Sequence, residues 1–477
     1  MGRPTITIKG LLDSPLRADD MREVGEAAIV LGASISGLLA ARVLADFYRT
    51  VTVVERDILI DRPTTRRGVP QGGLPHITHP RATQIMSELF PGFLDELVVG
   101  GAQVWNDGDL SRLWMRYGGH RLLRSGTIPD PKSVAAYYVT RPFLEWSVRR
   151  RVHSMPNVEI LGGHDAVRLA SSADSERVTG VVVARRRSGA EKTLAADLVV
   201  DATGRGSRTP VFLDALGYRP PRQDQLMVRV AYAGLLVHVP PRTLREYFAF
   251  AGAESSRPMG FGMVAGENNT YMLGVQPIAG QPPPSDRDSL LACLADMAPS
   301  HVLTAARCAE PLTDVAHYRF PSNRWRRYDK LARTPDGLLV VGDAMCSFNP
   351  VYGQGISVAA IEAIVLRHCL QHGDRNLPRR FFHATAKEIR VAWHAAVGSD
   401  LALPQTPGRP SLSIRISNAY LNRLLAAAET DPAAVQQFLR LMGMVDPPSR
   451  LLRPSTIIRV INASQKQPDQ KAMPAGG

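Results

Sequence analysis

The chain has 477 residues, 44% of them hydrophobic and 21% charged, a composition that fits a globular protein too long for one typical core. Its formal charge of +13 invites a nucleic-acid partner, but the basic residues are scattered in short knots at Arg149–Arg151, Arg185–Arg187 and Arg324–Arg327. With no long basic tract and no zinc-finger spacing, nucleic acid is not expected as a partner. No apolar run reaches the roughly 18 residues that a membrane span needs, although peripheral contact with a membrane surface stays open.

Residues 1–25 are mixed in character and read as a loose leader without an apolar signal core. Ala27 to Leu31 reads as a buried parallel strand, followed at once by Gly32-Ala-Ser-Ile-Ser-Gly37 and a helix over Leu38 to Phe47. Val51 to Glu55 is a second strand, closing on an acid about 20 residues beyond the glycines. Strand, Gly-rich turn, helix and strand in that order form a dinucleotide fingerprint. Gly32 permits the tight turn, Gly37 lets helix and strand approach, and Glu55 can hold ribose hydroxyls. Ser34 stands at the middle glycine position and crowds the pyrophosphate approach.

Arg66-Arg67-Gly-Val-Pro-Gln71 is a punctuated loop, followed by His76 and His79 between helix-breaking Pro75 and Pro80. No third ligand accompanies the two histidines, so a loop that touches the cofactor is expected rather than a metal. Helical spacing returns over Ala82 to Val99. Arg141 sits just ahead of a helix beginning at Phe143, a position suited to a phosphate. Strands are expected at Asn157 to Leu161, Ala166 to Leu169, Val178 to Arg185 and Lys192 to Val200, ending in a second Gly-rich turn, Asp201-Ala-Thr-Gly-Arg-Gly-Ser-Arg208.

From Gly217 to Arg333, strand-like runs such as Met227 to Tyr232 and Tyr271 to Val275 alternate with Pro-rich loops, and a helix is expected near Ser289 to Ala298. This stretch reads as an inserted mixed-sheet domain that caps the cofactor and shapes a substrate cavity. Phe248, Phe250, Met259, Phe261, Met263 and Met272 could supply its apolar wall, with Phe250, Phe261 and Met263 the chosen candidates. Leu338 to Val341 is then a strand buried on both faces. Gly342-Asp343 ends it, placing a carboxylate at the strand's carboxyl end. Asn349-Pro350 breaks the chain, and Gly353 and Gly355 bring bare backbone to a helix over Ile356 to Cys369, whose free amides suit an anion or a carbonyl. Arg379 to Ala396, Ile414 to Ala428 and Asp431 to Met444 look helical. Ile457 to Ile461 is expected to pack on them, and the tail from Gln465 is polar. Cys293, Cys308, Cys346 and Cys369 have neither disulfide nor metal spacing, which fits a reducing cytoplasm.

These three turns, in this order, resemble the flavin-dependent monooxygenases of the aromatic-hydroxylase type. Gly32 to Gly37 with Glu55-Arg56 matches the first FAD motif. Ala202-Thr-Gly-Arg-Gly-Ser207 matches the middle one, with Thr203 where an acid is usual, and Gly342-Asp343 with Pro350 to Gly355 matches the last. Within that superfamily, Gly68-Val-Pro-Gln71 and Phe348 to Gly355 look most like bacterial epoxidases acting on polyene or polyether precursors, with squalene epoxidases more distant. The resemblance spans about residues 26–400. It implies an α/β fold: a Rossmann-like FAD-binding domain in two parts (26–216 and 334–375), the inserted mixed β-sheet domain (217–333), a C-terminal helical region (376–464) and a loose tail (465–477).

It further implies non-covalent FAD, with adenosine at the N-terminal unit and isoalloxazine near the Gly353 helix. Arg141 and Asp343 would contact pyrophosphate and ribitol, and Val167 would lend backbone to the adenosine end. Arg56, Arg67, Pro350 and Ile356 belong to the same implied cofactor shell. NADPH or NADH would reduce the flavin, dioxygen would add to it, and the resulting hydroperoxide would deliver oxygen to an electron-rich double bond of a hydrophobic substrate. An obvious acid–base pair is not needed for this, and none is nominated. An aromatic hydroxylase is the main alternative. The Trp-x-Trp-x-Ile-Pro motif expected of a flavin halogenase and the Tyr-x-Trp-x-Phe-Pro motif expected of an isoprenoid reductase are both missing.

Overall fold

A computed structural model describes residues 23–447 and 450. The leader expected over residues 1–25 (save its last residues), the expected packing of Ile457 to Ile461 and the tail from Gln465 lie outside the described residues. A five-stranded sheet runs in the order Leu338–Val340, Leu198–Asp201, Gly25–Leu31, Tyr48–Glu55 and Val158–Gly162, with every pair parallel, and its first three strands carry unbroken apolar runs over 338–340, 198–200 and 27–31. Strands buried on both faces have this composition because neither face meets water. Helices Ile35–Leu44 and Gly355–Gln371 pack against each other over the sheet. A three-stranded antiparallel sheet, His164–Ser171, Val178–Arg185 and Glu191–Ala195, lies against its other side.

Two expected elements divide. The run Lys192 to Val200 becomes Glu191–Ala195 in the antiparallel sheet and Leu198–Asp201 in the parallel one. The chain changes sheets at Ala196 and Asp197, where the Asp197 carboxylate accepts the amides of Glu26 and Ala27. The helix expected over Ala82 to Val99 is two helices, Pro80–Leu89 and Phe93–Val99. Pro91 cannot continue the first, and Gly92 takes φ +79° to start the second.

A second, larger sheet faces the carboxyl ends of the parallel strands. Its main path runs Cys346–Ser347, Ala316–Arg326, Gln223–His238, Thr270–Pro277, Met259–Ala265, Phe248–Ala251, Leu113–Tyr117 and His120–Arg121. Leu113–Tyr117, from the chain before the insert, pairs in parallel with Phe248–Ala251, while Cys346–Ser347 joins from after it. The sheet therefore draws on three stretches of chain. Gly234, Gly274 and Gly262 lie opposite one another on neighbouring strands. A Cβ on Gly274 would meet Pro75 at 2.8 Å, so this bare row seats the loop that carries His76. Helices Leu377–Asp400, Leu412–Ala427 and Pro432–Met442 are the last elements among the described residues, and the last two share the second core with Phe261, Met263 and Trp114.

Candidate functional site

Three Gly-rich turns meet at the carboxyl ends of adjacent parallel strands. Gly32 has φ +104°, and a Cβ there would lie 2.7 Å from the Ala202 carbonyl oxygen; a Cβ on Gly37 would lie 1.9 Å from that of Gly32. Gly342, with φ +61°, leaves no room for a Cβ beside the Ser36 hydroxyl, at 2.4 Å. Side chains at these positions would force the turns apart. They bound one end of a cavity of about 920 Å³ that continues between the two sheets.

Glu55 ends its strand buried, and its oxygens accept the amides of Ala33 at 2.8 Å and Asp57 at 2.9 Å. It therefore braces the glycine turn as well as lining the cavity. Arg66 lies 3.2 Å from Glu55, 3.1 Å from Asp57 and 2.6 Å from Glu145. Burial opposes its charge, but Glu145 and Glu55 outweigh burial and push its pKa up. Glu145 also accepts the Ser34 hydroxyl at 3.0 Å, and Arg141 donates to that hydroxyl at 2.9 Å. Arg141 opens the helix Arg141–His153 behind the Thr140 cap. Its guanidinium is buried with Nε unpartnered. Burial lowers its pKa, with Glu145 and Asp343 working the other way.

Asp343 faces the same cavity. Burial raises its pKa, opposed by Arg141, Arg205 and Arg324. In the middle turn, where Thr203 replaces the usual acid, the Thr203 amide and hydroxyl bind Asp201 at 2.8 and 2.6 Å. Asp201 is 1% exposed, so a carboxylate is present, spent on the turn itself. Gly353 has φ +65° and no space for a Cβ against His79, while a Cβ on Gly355 would meet nothing within 4 Å. Pro350, Gly353, Gly355 and Ile356 line the wall that leads into the helix Gly355–Gln371.

The structure thus brings Gly32, Ser34, Glu55, Arg56, Arg67, Arg141, Gly342, Asp343, Pro350, Gly353, Gly355, Ile356 and Phe250 to one cavity. Gly37 acts behind it, in helix–strand packing. Val167 lies beside the wall, at a register shift between Ala166 and Arg168, and His164, Asp165 and Ala166 line the cavity instead. Phe261 and Met263 require correction as wall residues. Both are 0% exposed and belong to the second core, with Phe261 5.7 Å from the Trp114 ring. Alternate strand residues face opposite ways, so Gly262 and Val264 reach the cavity. Sequence reading missed Arg66 as a brace and Glu145 as its partner. The four-residue spacing from Arg141 to Glu145 was the available signal. It also missed Leu113, Met115, Leu439 and Met442, brought to the wall by strand pairing and by a C-terminal helix.

Residues 26–390 match the FAD binding domain family. The chain belongs to that family. It is 37% identical over 432 residues to Protein Rv3254 of Mycobacterium tuberculosis, spanning 88% of this chain and 90% of that protein. Its fold is shared with the flavin-dependent brominase Bmp2 (TM-score 0.61, 15% identity, 93% of this chain and 100% of that one). It is shared too with a flavoprotein/dehydrogenase from Cytophaga hutchinsonii (TM-score 0.62, 14% identity, 92% and 98%) and with PqsL from Pseudomonas aeruginosa (TM-score 0.57, 17% identity, 87% and 99%). The residues present fit FAD. The cavity is at the upper end of the usual size for a small-molecule site, an unpartnered guanidinium nitrogen is buried at the glycine turn, and the Gly355 approach is bare.

Proposed function

We propose that this chain is an FAD-dependent monooxygenase that places one oxygen atom of dioxygen into a hydrophobic substrate, epoxidising an alkene of a polyketide- or terpene-like compound. One observation carries the reading. The cavity that starts at the nucleotide turns runs without interruption into a chamber walled by Trp105, Leu113, Met115, Phe250, Val264 and Met442. Bound FAD, reduced by NADPH or NADH, would supply the oxygen-transfer chemistry.

The protein's own part is binding, orientation and exclusion of water. Arg141 would face the pyrophosphate, Asp343 the ribitol and Glu55 the ribose, with Arg56 and Arg67 at the mouth and the Pro350–Ile356 segment against the ring system. Apolar walls expel water and hold the alkene. Tyr138 and Tyr232 also line the chamber, and burial pushes both phenols above their ordinary pKa, so they stay protonated and do not serve as bases. Burial, with Arg141 and His79 adding to it, brings His76 down to about 3, leaving it neutral. All four cysteines are free, in keeping with a reducing cytoplasm, and no helix among the described residues is long and apolar enough to cross a membrane.

The test incubates FAD-loaded protein, NADPH or NADH and labelled dioxygen with a polyene ester, a phenol of similar size and bromide. Label in an epoxide is the expected result. A catechol alone would make the chain an aromatic hydroxylase, and a brominated product alone a halogenase.

A further inference from the structure

We propose that Asp400, the last residue of the helix Leu377–Asp400, is a positioning residue that fixes the cavity wall from Asn349 to Gly353. Its carboxylate is 2% exposed. One oxygen accepts Asn349 Nδ2 at 2.9 Å and the Tyr352 hydroxyl at 2.7 Å; the other accepts Asn323 Nδ2 at 2.5 Å. The Asn323 side-chain oxygen accepts the Asn349 amide at 2.6 Å. The Asn349 oxygen accepts the Tyr232 hydroxyl at 2.5 Å, and the Val351 amide donates to that same hydroxyl at 3.1 Å. Tyr232, Asn349, Val351 and Tyr352 all line the cavity, whereas Asp400 and Asn323 stand behind it.

No Lys, Arg or His among the described residues forms an ion pair with Asp400. A buried carboxylate without a cation is costly unless donors surround it, and here three neutral donors do. The arrangement needs two oxygens that only accept, which an amide cannot offer. The inference rests on the FAD-binding reading of the cavity and on no particular substrate.

In Asp400→Asn, the new amide must point its NH2 at a donor. Placed towards Asn323 it meets Nδ2, and turning the Asn323 amide to accept sets Nδ2 against the Asn349 N–H. Placed the other way it meets Asn349 Nδ2, a donor, and the Tyr352 hydroxyl, which must turn its own hydrogen away in order to accept. Every arrangement of the single variant breaks or reverses at least one bond that holds the wall from Asn349 to Gly353. Combining Asp400→Asn with Asn323→Asp reverses one bond and keeps the rest: the carboxylate at 323 accepts from the amide at 400 and from the Asn349 N–H, while the amide oxygen at 400 keeps Asn349 and Tyr352. A role in general packing gives no reason for such recovery; a role in donor–acceptor order requires it.

The experiment measures hydrogen exchange by mass spectrometry over residues 349–355 of the full chain, with and without FAD, together with the FAD dissociation constant. Asp400→Asn should speed exchange there about tenfold and weaken FAD about tenfold, the size expected for one unpaired buried donor, with exchange in the strand Gly25–Leu31 unchanged. The double variant should return both readings to within about threefold of the unaltered protein. Unchanged exchange at 349–355 in the single variant, a rise spread evenly over the chain, or a double variant no better than the single would overturn the proposal. Should the single variant not fold, recovery of folded protein in the double variant supports it and failure of both overturns it. If the unaltered chain binds no FAD, the cofactor reading fails, and exchange measured without FAD still decides the role of Asp400.

Discussion

Replacing Arg141 with Ala isolates the charge at the glycine turn. Its guanidinium is 9% exposed and held by the Ser34 hydroxyl at 2.9 Å, with Glu145 3.7 Å away. Glu145 keeps Arg66 at 2.6 Å when Arg141 is gone, so no carboxylate is orphaned and the fold loses little. The cost falls on the ligand. A charge-assisted hydrogen bond to pyrophosphate contributes about 1.5–3 kcal/mol, so FAD should bind roughly tenfold to 150-fold more weakly. Arg141→Lys keeps the charge without the planar fork and should recover only part of the loss. The assay titrates apoprotein with FAD by flavin fluorescence, beside a melting curve for each variant. FAD affinity within about twofold of the unaltered protein, with a lowered melting temperature, would show that Arg141 only supports the helix start and would refute its role at the pyrophosphate.

Asp343→Ala and Glu55→Ala should each weaken FAD by about tenfold to a hundredfold. They should differ in stability, because Glu55 also holds two amides and Arg66; a melting temperature lowered by Asp343→Ala as much as by Glu55→Ala would contradict that division. Phe261→Ala should cost about 3–5 kcal/mol in urea unfolding without changing which substrates turn over, while Phe250→Ala should widen or weaken substrate binding; reversed outcomes would mean the sheet faces are misassigned. Burial pushes the Glu362 carboxyl from its ordinary 4.5 up to about 8, against the opposing Gly342 amide and with Asp343 adding to the rise. The folded chain then holds a proton that the unfolded chain gives up between those values, so stability from this group falls as pH rises through the window and levels above it. Glu362→Gln should gain in melting temperature relative to the unaltered protein between about pH 5 and pH 8, and parallel curves would show that Glu362 ionises normally.

What the sequence determined by itself is local: buried strands, tight turns and helix starts whose causes lie within a few residues. Gly32, Gly37, Gly342 and Gly353 could be read because a bare backbone is demanded by the turn in which each sits. Asp343 and Arg141 could be read because their places at a strand end and a helix start are also local. Tertiary structure decided whatever depends on which residues meet across the chain. Phe250 reaches the cavity and Phe261 does not, because a strand's two faces look alike until a second layer covers one of them. Glu55 proved to be a brace of the glycine turn as well as a cavity residue, since Arg66 and Glu145 arrive from separate segments. Asp400 follows Asn349 by 51 residues, and no spacing rule links a helix end to a loop on another layer. Long-range hydrogen bonds of this kind form only when packing removes water from both partners, and that is a property of the assembled fold.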